Sequence, residues 1–137
     1  MATLRLEIVT PEARTYSEDV DMVVIPGIEG EMGVLPQHVP LMTQLTPGAL
    51  KVTRKGQQDL YLAVGEGFVE ITQERVSVLT DMAIEESAID ESAAEKAVER
   101  AQAAIKNKDL GAEENAAVLA SLNKSMAQLH VKRRTHH

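Results

Sequence analysis

Between residues 4 and 80 the apolar residues recur in short runs of period two, and beyond about residue 88 they fall at helical spacing. Leu4, Leu6 and Ile8 alternate with Arg5 and Glu7, and Pro11 closes that run. Residues 20–25 are more evenly apolar, which predicts a strand buried on both faces. Further strands are predicted at 41–45, 49–54, 60–64, 68–72 and 76–79, with turns at Thr46-Pro47-Gly48, Lys55-Gly56-Gln57 and Gly65-Glu66-Gly67. Turn signals every 8–12 residues or so, with no helical spacer between them, predict an antiparallel sandwich or barrel.

The pattern changes at Asp81. Ile89, Ala93, Ala97, Val98, Ala101, Ala104 and Ile105 predict a helix over 88–105, with Ser87 or Asp90 as N-cap and Lys106 and Lys108 at its end. Lys108-Asp109-Leu110-Gly111 reads as a break. A second helix is predicted over 112–130, with Val118 or Leu119, Leu122, Met126 and Leu129 on one stripe. So short a connection predicts that the two helices fold back on each other. The fold class is therefore α+β: an N-terminal antiparallel β-sandwich over 1–84, then a C-terminal antiparallel two-helix hairpin over 85–137. Alanine dominates the hairpin's stripes. Each buried methyl contributes roughly 0.8 kcal/mol, whereas ordering the backbone costs about 1–2 kcal/mol per residue. The hairpin is thus expected to need a docking surface and to be a mobile element, able to lie on the sandwich or reach a partner.

Residues 26–40 (Pro-Gly-Ile-Glu-Gly-Glu-Met-Gly-Val-Leu-Pro-Gln-His-Val-Pro) concentrate the residues with special backbone preferences. Glycines at 27, 30 and 33 permit positive φ, and prolines at 26, 36 and 40 fix φ and remove hydrogen-bond donors. The segment reads as a shaped loop holding Glu31, Met32 and His38 on a rim, a contact surface, or alternatively as an ordinary sandwich corner.

Composition narrows the function. Only 2% of residues are aromatic and cysteine is absent, so the core is aliphatic, and disulfides, thiolate metal sites and cysteine nucleophiles are excluded. The first residues carry charges where a signal peptide needs an apolar run, and no stretch of about 18 apolar residues occurs. The expectation is a soluble chain that does not insert into a membrane directly and meets one only through a protein partner. A net charge of −7 argues against nucleic acid. Residues 1–84 hold 6 Lys+Arg and 12 Asp+Glu (−6), and 85–137 hold 8 and 9 (−1), which together give the −7. Beyond Glu114 there is no acid, and Lys124, Lys132, Arg133 and Arg134 leave the second helix basic at its end. Two readings suit that: complementarity to the helix dipole, or a positive tip that seeks an acidic partner surface.

Catalytic chemistry finds no support. Gly27-Ile-Glu-Gly-Glu-Met-Gly33 lacks the Lys-Ser/Thr of a phosphate loop and opens a strand, not a helix. Glu29, Glu31 and His38 lack the second histidine that a metal site wants. His130, His136 and His137 sit toward the chain end, the last two reading as tail residues, and no Ser/His/Asp arrangement is evident.

The order of sandwich, glycine-rich segment and Ala-rich hairpin resembles the epsilon subunit of the bacterial F-type ATP synthase. Gly30-Glu-Met-Gly-Val-Leu-Pro-Gln-His-Val-Pro-Leu41 looks like that family's signature, and Gly67-Phe-Val-Glu70 and Val76-Ser-Val-Leu-Thr-Asp-Met-Ala83 match as well. The resemblance implies a non-catalytic rotor subunit of the central stalk, peripheral on the cytoplasmic face of the cell membrane. It couples proton-driven rotation of the c-ring to ATP synthesis and inhibits hydrolysis through its C-terminal helices. By resemblance, Glu31, Met32 and His38 meet the c-ring, and His38 and Thr43 meet the gamma subunit. Lys124, Lys132, Arg133 and Arg134 meet an acidic segment of the beta subunits in the alpha/beta catalytic head. No cofactor is required. Ile89 and Asp90 fall in the Ile-Asp-x-x-Arg-Ala motif with which some members bind ATP, but Ala93 stands where the arginine belongs, so ATP binding is expected to be weak. Two further departures are Gln37 where the family has glycine, implying a different backbone conformation there, and Gly65-Glu66-Gly67 in place of adjacent glycines. The competing reading is a free-standing β-sandwich module binding a small acidic or nucleotide ligand.

Overall fold

The computed structural model describes residues 3–12, 14–106 and 110–134. Its strands are β1 (Leu4–Val9), β2 (Arg14–Val20), β3 (Met22–Gly27), β4 (Gly30–Val34), β5 (Leu41–Leu45), β6 (Gly48–Thr53), β7 (Leu60–Val64), β8 (Gly67–Ile71), β9 (Arg75–Thr80) and β10 (Ala83–Glu85). They form one sheet in the order β10-β7-β6-β3-β5-β8-β9-β1-β2, with β4 paired to β3 off that path. β3 and β5 share a single register pair, Gly27 opposite Leu45. The sheet turns at that narrow seam, and its two halves enclose one cluster that includes Leu6, Ile8, Val23, Ile25, Leu45, Leu50, Leu62, Val69 and Val78. The expected sandwich is therefore present. All its pairings are antiparallel except that β1, which lies between β9 and β2, runs parallel to β9.

Three strands escape the hydropathy pattern. β2 is a sheet edge and tolerates a polar sequence there. β4 is glycine-rich, and β10 has only three residues. The even run at 20–25 is not one doubly buried strand. It breaks at Asp21, whose N–H donates to the Thr53 carbonyl (2.9 Å) and whose carboxylate accepts from the Lys55 N–H, and Met22 and Val24 are only half-buried. Nor are residues 26–40 a single loop. β3 and β4 make a hairpin turning at Ile28-Glu29, and only residues 35–40 remain irregular. Within them Gln37 takes φ 69°, the left-handed conformation that glycine adopts without strain and other residues rarely take. Its N–H donates to the Gln73 carbonyl at 2.8 Å, which pins the loop to the β8–β9 turn. At Gly67 a Cβ would lie 1.8 Å from the Leu79 carbonyl oxygen, so close approach of the β8 and β9 backbones demands glycine there.

A short 3-10 turn (Glu86–Ala88) leads to α1 (Glu91–Ile105) and then α2 (Ala112–Arg134). Asp90 is the N-cap, its carboxylate accepting from the Ala93 N–H at 3.0 Å, while Ser87 lies within the 3-10 turn. The break expected at 108–111 falls partly, and His136 and His137 wholly, outside the described residues. α2 runs four residues past the predicted end and packs on α1, β6 and β7. A second cluster joins it to the sheet: Val131 and Ile89 against Ala63, with half-buried Ala49, Tyr61, Met82 and Ile84 around them. α2 is buried on two sides, at Ser125 and Leu129 and, about 200° around the helix, at Ala127 and Val131; of the expected stripe Leu129 is buried and Val118 and Leu122 are half-buried, while Leu119 and Met126 are about half exposed. The sheet offers α2 the small residues Ala49 and Ala63, and Val131 packs into the space they leave.

Candidate functional site

The outer face of β5, β8 and β9 carries residues that belong in a core. Phe68, the only phenylalanine of the chain, is 57% exposed, Leu79 opposite it is 56% exposed, and Met42 is 65% exposed. Gln44 stands opposite Phe68 and Val9 opposite Leu79, so Phe68, Leu79 and Val9 form an outward row across three adjacent strands spaced about 4.8 Å apart. The irregular loop adds exposed Leu35 and Val39. A continuous apolar row on a rigid sheet marks a contact surface, because burying Phe68 inside the sandwich would have been favourable by roughly 2–3 kcal/mol. Sequence reasoning missed this face. Its signal was the apolar residue at outward positions of the alternation in Gly67-Phe68-Val69 and Val78-Leu79-Thr80.

The residues singled out in 26–43 do not share one rim. Glu31 is exposed at the turn end of the β3–β4 hairpin, opposite Pro26, and lines a groove of about 690 Å³ with Glu66, Asn123, Met126 and His130. Met32 is half-buried and packs against the main core. His38 lies beyond the other end of β4, its N–H donating to the Leu35 carbonyl (3.2 Å) and its Nδ1 to the Val39 carbonyl (2.6 Å). Thr43 is half-buried on β5, facing the same way as buried Leu45, while Met42 and Gln44 point outward. The structure thus brings Glu31 close to α2 and leaves His38 near the β8–β9 turn.

The basic end of α2 is engaged within the chain. Lys124 Nζ lies 2.9 Å from Asp81, Lys132 Nζ 3.4 Å from Glu86, and Arg133 3.2 and 2.7 Å from Glu91 and Glu95. Hydrogen bonds to Glu95 and then Glu91 push the Arg133 pKa further up. The Arg134 guanidinium stacks over Tyr61 at 5.4 Å. Ile89 is buried beneath α2, and the Asp90 carboxylate caps α1, so both residues of the partial nucleotide motif hold structural positions. Among the described residues no three His, Asp or Glu side chains are placed to hold a metal, and no helix is long and apolar enough to cross a membrane.

A rigid sandwich with an outward apolar face and a docked, cation-tipped hairpin defines an assembly subunit, one that works by being held between other proteins. Residues 3–86 match the β-sandwich domain of the ATP synthase delta/epsilon chain. Over 138 residues the chain is 46% identical to the ATP synthase epsilon chain of Dehalococcoides mccartyi, covering 99% of this chain and 98% of that one. Identity to the epsilon chain of Laribacter hongkongensis is 38% over 141 residues, covering 99% and 100%. The fold is similar to a chain in the Euglena gracilis mitochondrial ATP synthase structure of OSCP, F1 and c-ring, with TM-score 0.79 and 26% identity over 100% of this chain and 83% of that one. A chain of the Tetrahymena thermophila mitochondrial central stalk and c-ring shares the fold at TM-score 0.57 and 11% identity, covering 96% of each. The chain belongs to the ATP synthase epsilon-chain family, and its role is that of a non-catalytic subunit of the synthase rotor.

Proposed function

We propose that this chain couples the c-ring to the gamma subunit, on the cytoplasmic face of the membrane, and restrains ATP hydrolysis through α2. The observation that carries the coupling role is the outward row of Phe68, Leu79 and Val9 with Met42 beside it, which suits the gamma subunit as its cover, with His38 in the adjoining loop and Thr43 on the inner side of β5. Glu31, exposed at the tip of the β3–β4 hairpin, suits the polar loops of the c-ring, whereas Met32, packed in the core, and His38, at the other end of β4, do not share that tip. The cations Lys124, Lys132, Arg133 and Arg134 suit an acidic segment of the beta subunits once α2 leaves the sheet. The test is co-purification of tagged chain with the remaining synthase subunits. Phe68→Asp with Leu79→Asp should abolish recovery of gamma while circular dichroism stays unchanged, since both side chains point to solvent. Full recovery of gamma by this folded double variant would sink the assignment of the face. A chain that recovers no synthase subunit at all would favour the free-standing binding module.

A further inference from the structure

Two arginines from distant parts of the chain meet in a pocket of about 620 Å³. Arg54, Gln58 and Tyr61 line it from β7 and the connection that precedes it, Ser87 from the 3-10 turn, and Arg134 from the end of α2. The charge of these arginines is not spent inside the chain. A guanidinium carries five N–H donors. Arg54 uses one in a hydrogen bond, from Nη2 to the Gln58 carbonyl at 3.3 Å. Its approach to Glu18 is 3.8 Å, an ion pair too long for a hydrogen bond, and its Nε is buried without an acceptor among the described residues. Glu18 also accepts from the Tyr16 hydroxyl at 2.8 Å, so that carboxylate is shared. Arg134 sits over the Tyr61 ring, 5.4 Å from its centroid, and among the described residues no carboxylate lies within ion-pair distance of it. The two acids of the lining are answered elsewhere. Asp59 pairs with Lys51 at 3.5 Å and Glu86 with Lys132 at 3.4 Å, and neither lysine lines the pocket. What the cavity offers uncompensated is therefore positive charge, with Gln58 and Ser87 as neutral hydrogen-bonding residues in the same lining.

We propose that this pocket is a receptor for a dianionic oxyanion: inorganic phosphate, or the phosphate group of a small molecule. A phosphate dianion matches two guanidinium charges where a carboxylate brings only one, and its oxygens take charge-assisted hydrogen bonds from both. Gln58 and Glu18 already hold Arg54, and Tyr61 supports Arg134, so little side-chain freedom is lost on binding. The space exceeds what a bare phosphate fills, which leaves room for the ester group of a small phosphorylated molecule. Neither Ile89 nor Asp90 belongs to the lining, so the site is separate from the partial nucleotide motif. It is also independent of the rotor reading above, because it needs only this chain.

The test titrates the isotope-labelled full chain with inorganic phosphate, phenyl phosphate and acetate at about pH 8 and constant ionic strength, following backbone amides by NMR. Phosphate should give saturable shifts at residues 54–61, 86–87 and 131–134, with a dissociation constant in the millimolar range, and acetate should bind about 10-fold more weakly. Arg54→Gln and Arg134→Gln should each weaken phosphate about 10-fold. Arg100→Gln, an equal loss of charge on α1 outside this pocket, should leave phosphate binding unaltered. Arg54 also faces Glu18, so Arg134→Gln, at an exposed position, carries the test should Arg54→Gln unfold the chain. Absence of saturable shifts up to about 50 mM phosphate overturns the proposal. Equal binding of acetate overturns it too, as does equal weakening by Arg100→Gln, since either result marks general attraction to positive charge. Phenyl phosphate separates the two sources: binding as tight as phosphate or tighter supports the ester, and its exclusion overturns the ester in favour of the free ion.

Discussion

Val131→Ala is the sharpest probe of how the hairpin is held. Val131 is 0% exposed and packs with Ile89 and Ala63 at the seam between α2 and the sheet, in a cluster separate from the main core. The substitution removes two methyl-sized groups, at about 0.8 kcal/mol each, and leaves a cavity, for a total of about 2 kcal/mol. That exceeds what either flanking ion pair contributes. Lys124–Asp81 is roughly a third exposed and Lys132–Glu86 roughly a quarter, and such pairs are worth about 0.2–1 kcal/mol. Apolar packing of small residues therefore holds α2 down, and charge trims the balance. Native-state hydrogen exchange by NMR is the assay. α2 amides should exchange about 30-fold faster, since about 1.4 kcal/mol is tenfold, while Leu6, Val69 and Val78 in the sandwich keep their protection. If the sandwich amides accelerate in step with α2, the two parts unfold as one unit and the docked hairpin is not a separable element. If no amide changes, Val131 is not its anchor.

Two further substitutions have outcomes fixed by geometry. Gln37→Gly should raise stability by about 0.5–1 kcal/mol: relief of the left-handed strain, about 1–2 kcal/mol, outweighs the greater backbone entropy of glycine. Thermal melting reads it, with Tm rising by about 2–4 °C, and a fall would show that the Gln37 side chain makes a compensating contact. Tyr16 donates to Glu18 at 2.8 Å, and burial first, then that hydrogen bond, raises its pKa above the ordinary 10.0. The folded chain then keeps a proton that the unfolded chain loses, so this contribution is complete below about pH 10 and is lost as pH rises beyond it. Urea midpoints between about pH 9 and 11 should fall more steeply for the parent than for Tyr16→Phe; parallel curves would remove Tyr16 as the cause.

Much of the architecture was legible because alternation and helical spacing report directly on one buried face. Leu4, Leu6 and Ile8 are all buried, with half-buried neighbours between them, and the boundary between sandwich and helices falls within a few residues of where the periodicity changes. β2 and β4 were not legible, since an edge strand and a glycine-rich hairpin arm need not bury an apolar stripe. Along α2, spacing alone favoured Val118 or Leu119, Leu122, Met126 and Leu129 as the inner face, of which Leu129 is buried, Val118 and Leu122 are half-buried and Met126 is half exposed. The sheet presents Ala49 and Ala63 to α2, and it is Val131 that packs against them, just past Leu129, the last residue the spacing singled out.

By itself the sequence determined the aliphatic two-part fold, the absence of thiol chemistry, the basic end of α2 and the signature segment that marks the family. Each is a local property, carried by composition or by neighbours within a few positions. Tertiary structure alone decided that Glu31 and His38 stand at opposite ends of β4, that the lone phenylalanine faces outward beside Leu79 and Val9, and that the cations of α2 rest on acids some 40 residues earlier in the chain. Those are pairings between distant segments. Strand register and helix docking set them, and both depend on how two surfaces fit, a quantity no window of sequence contains.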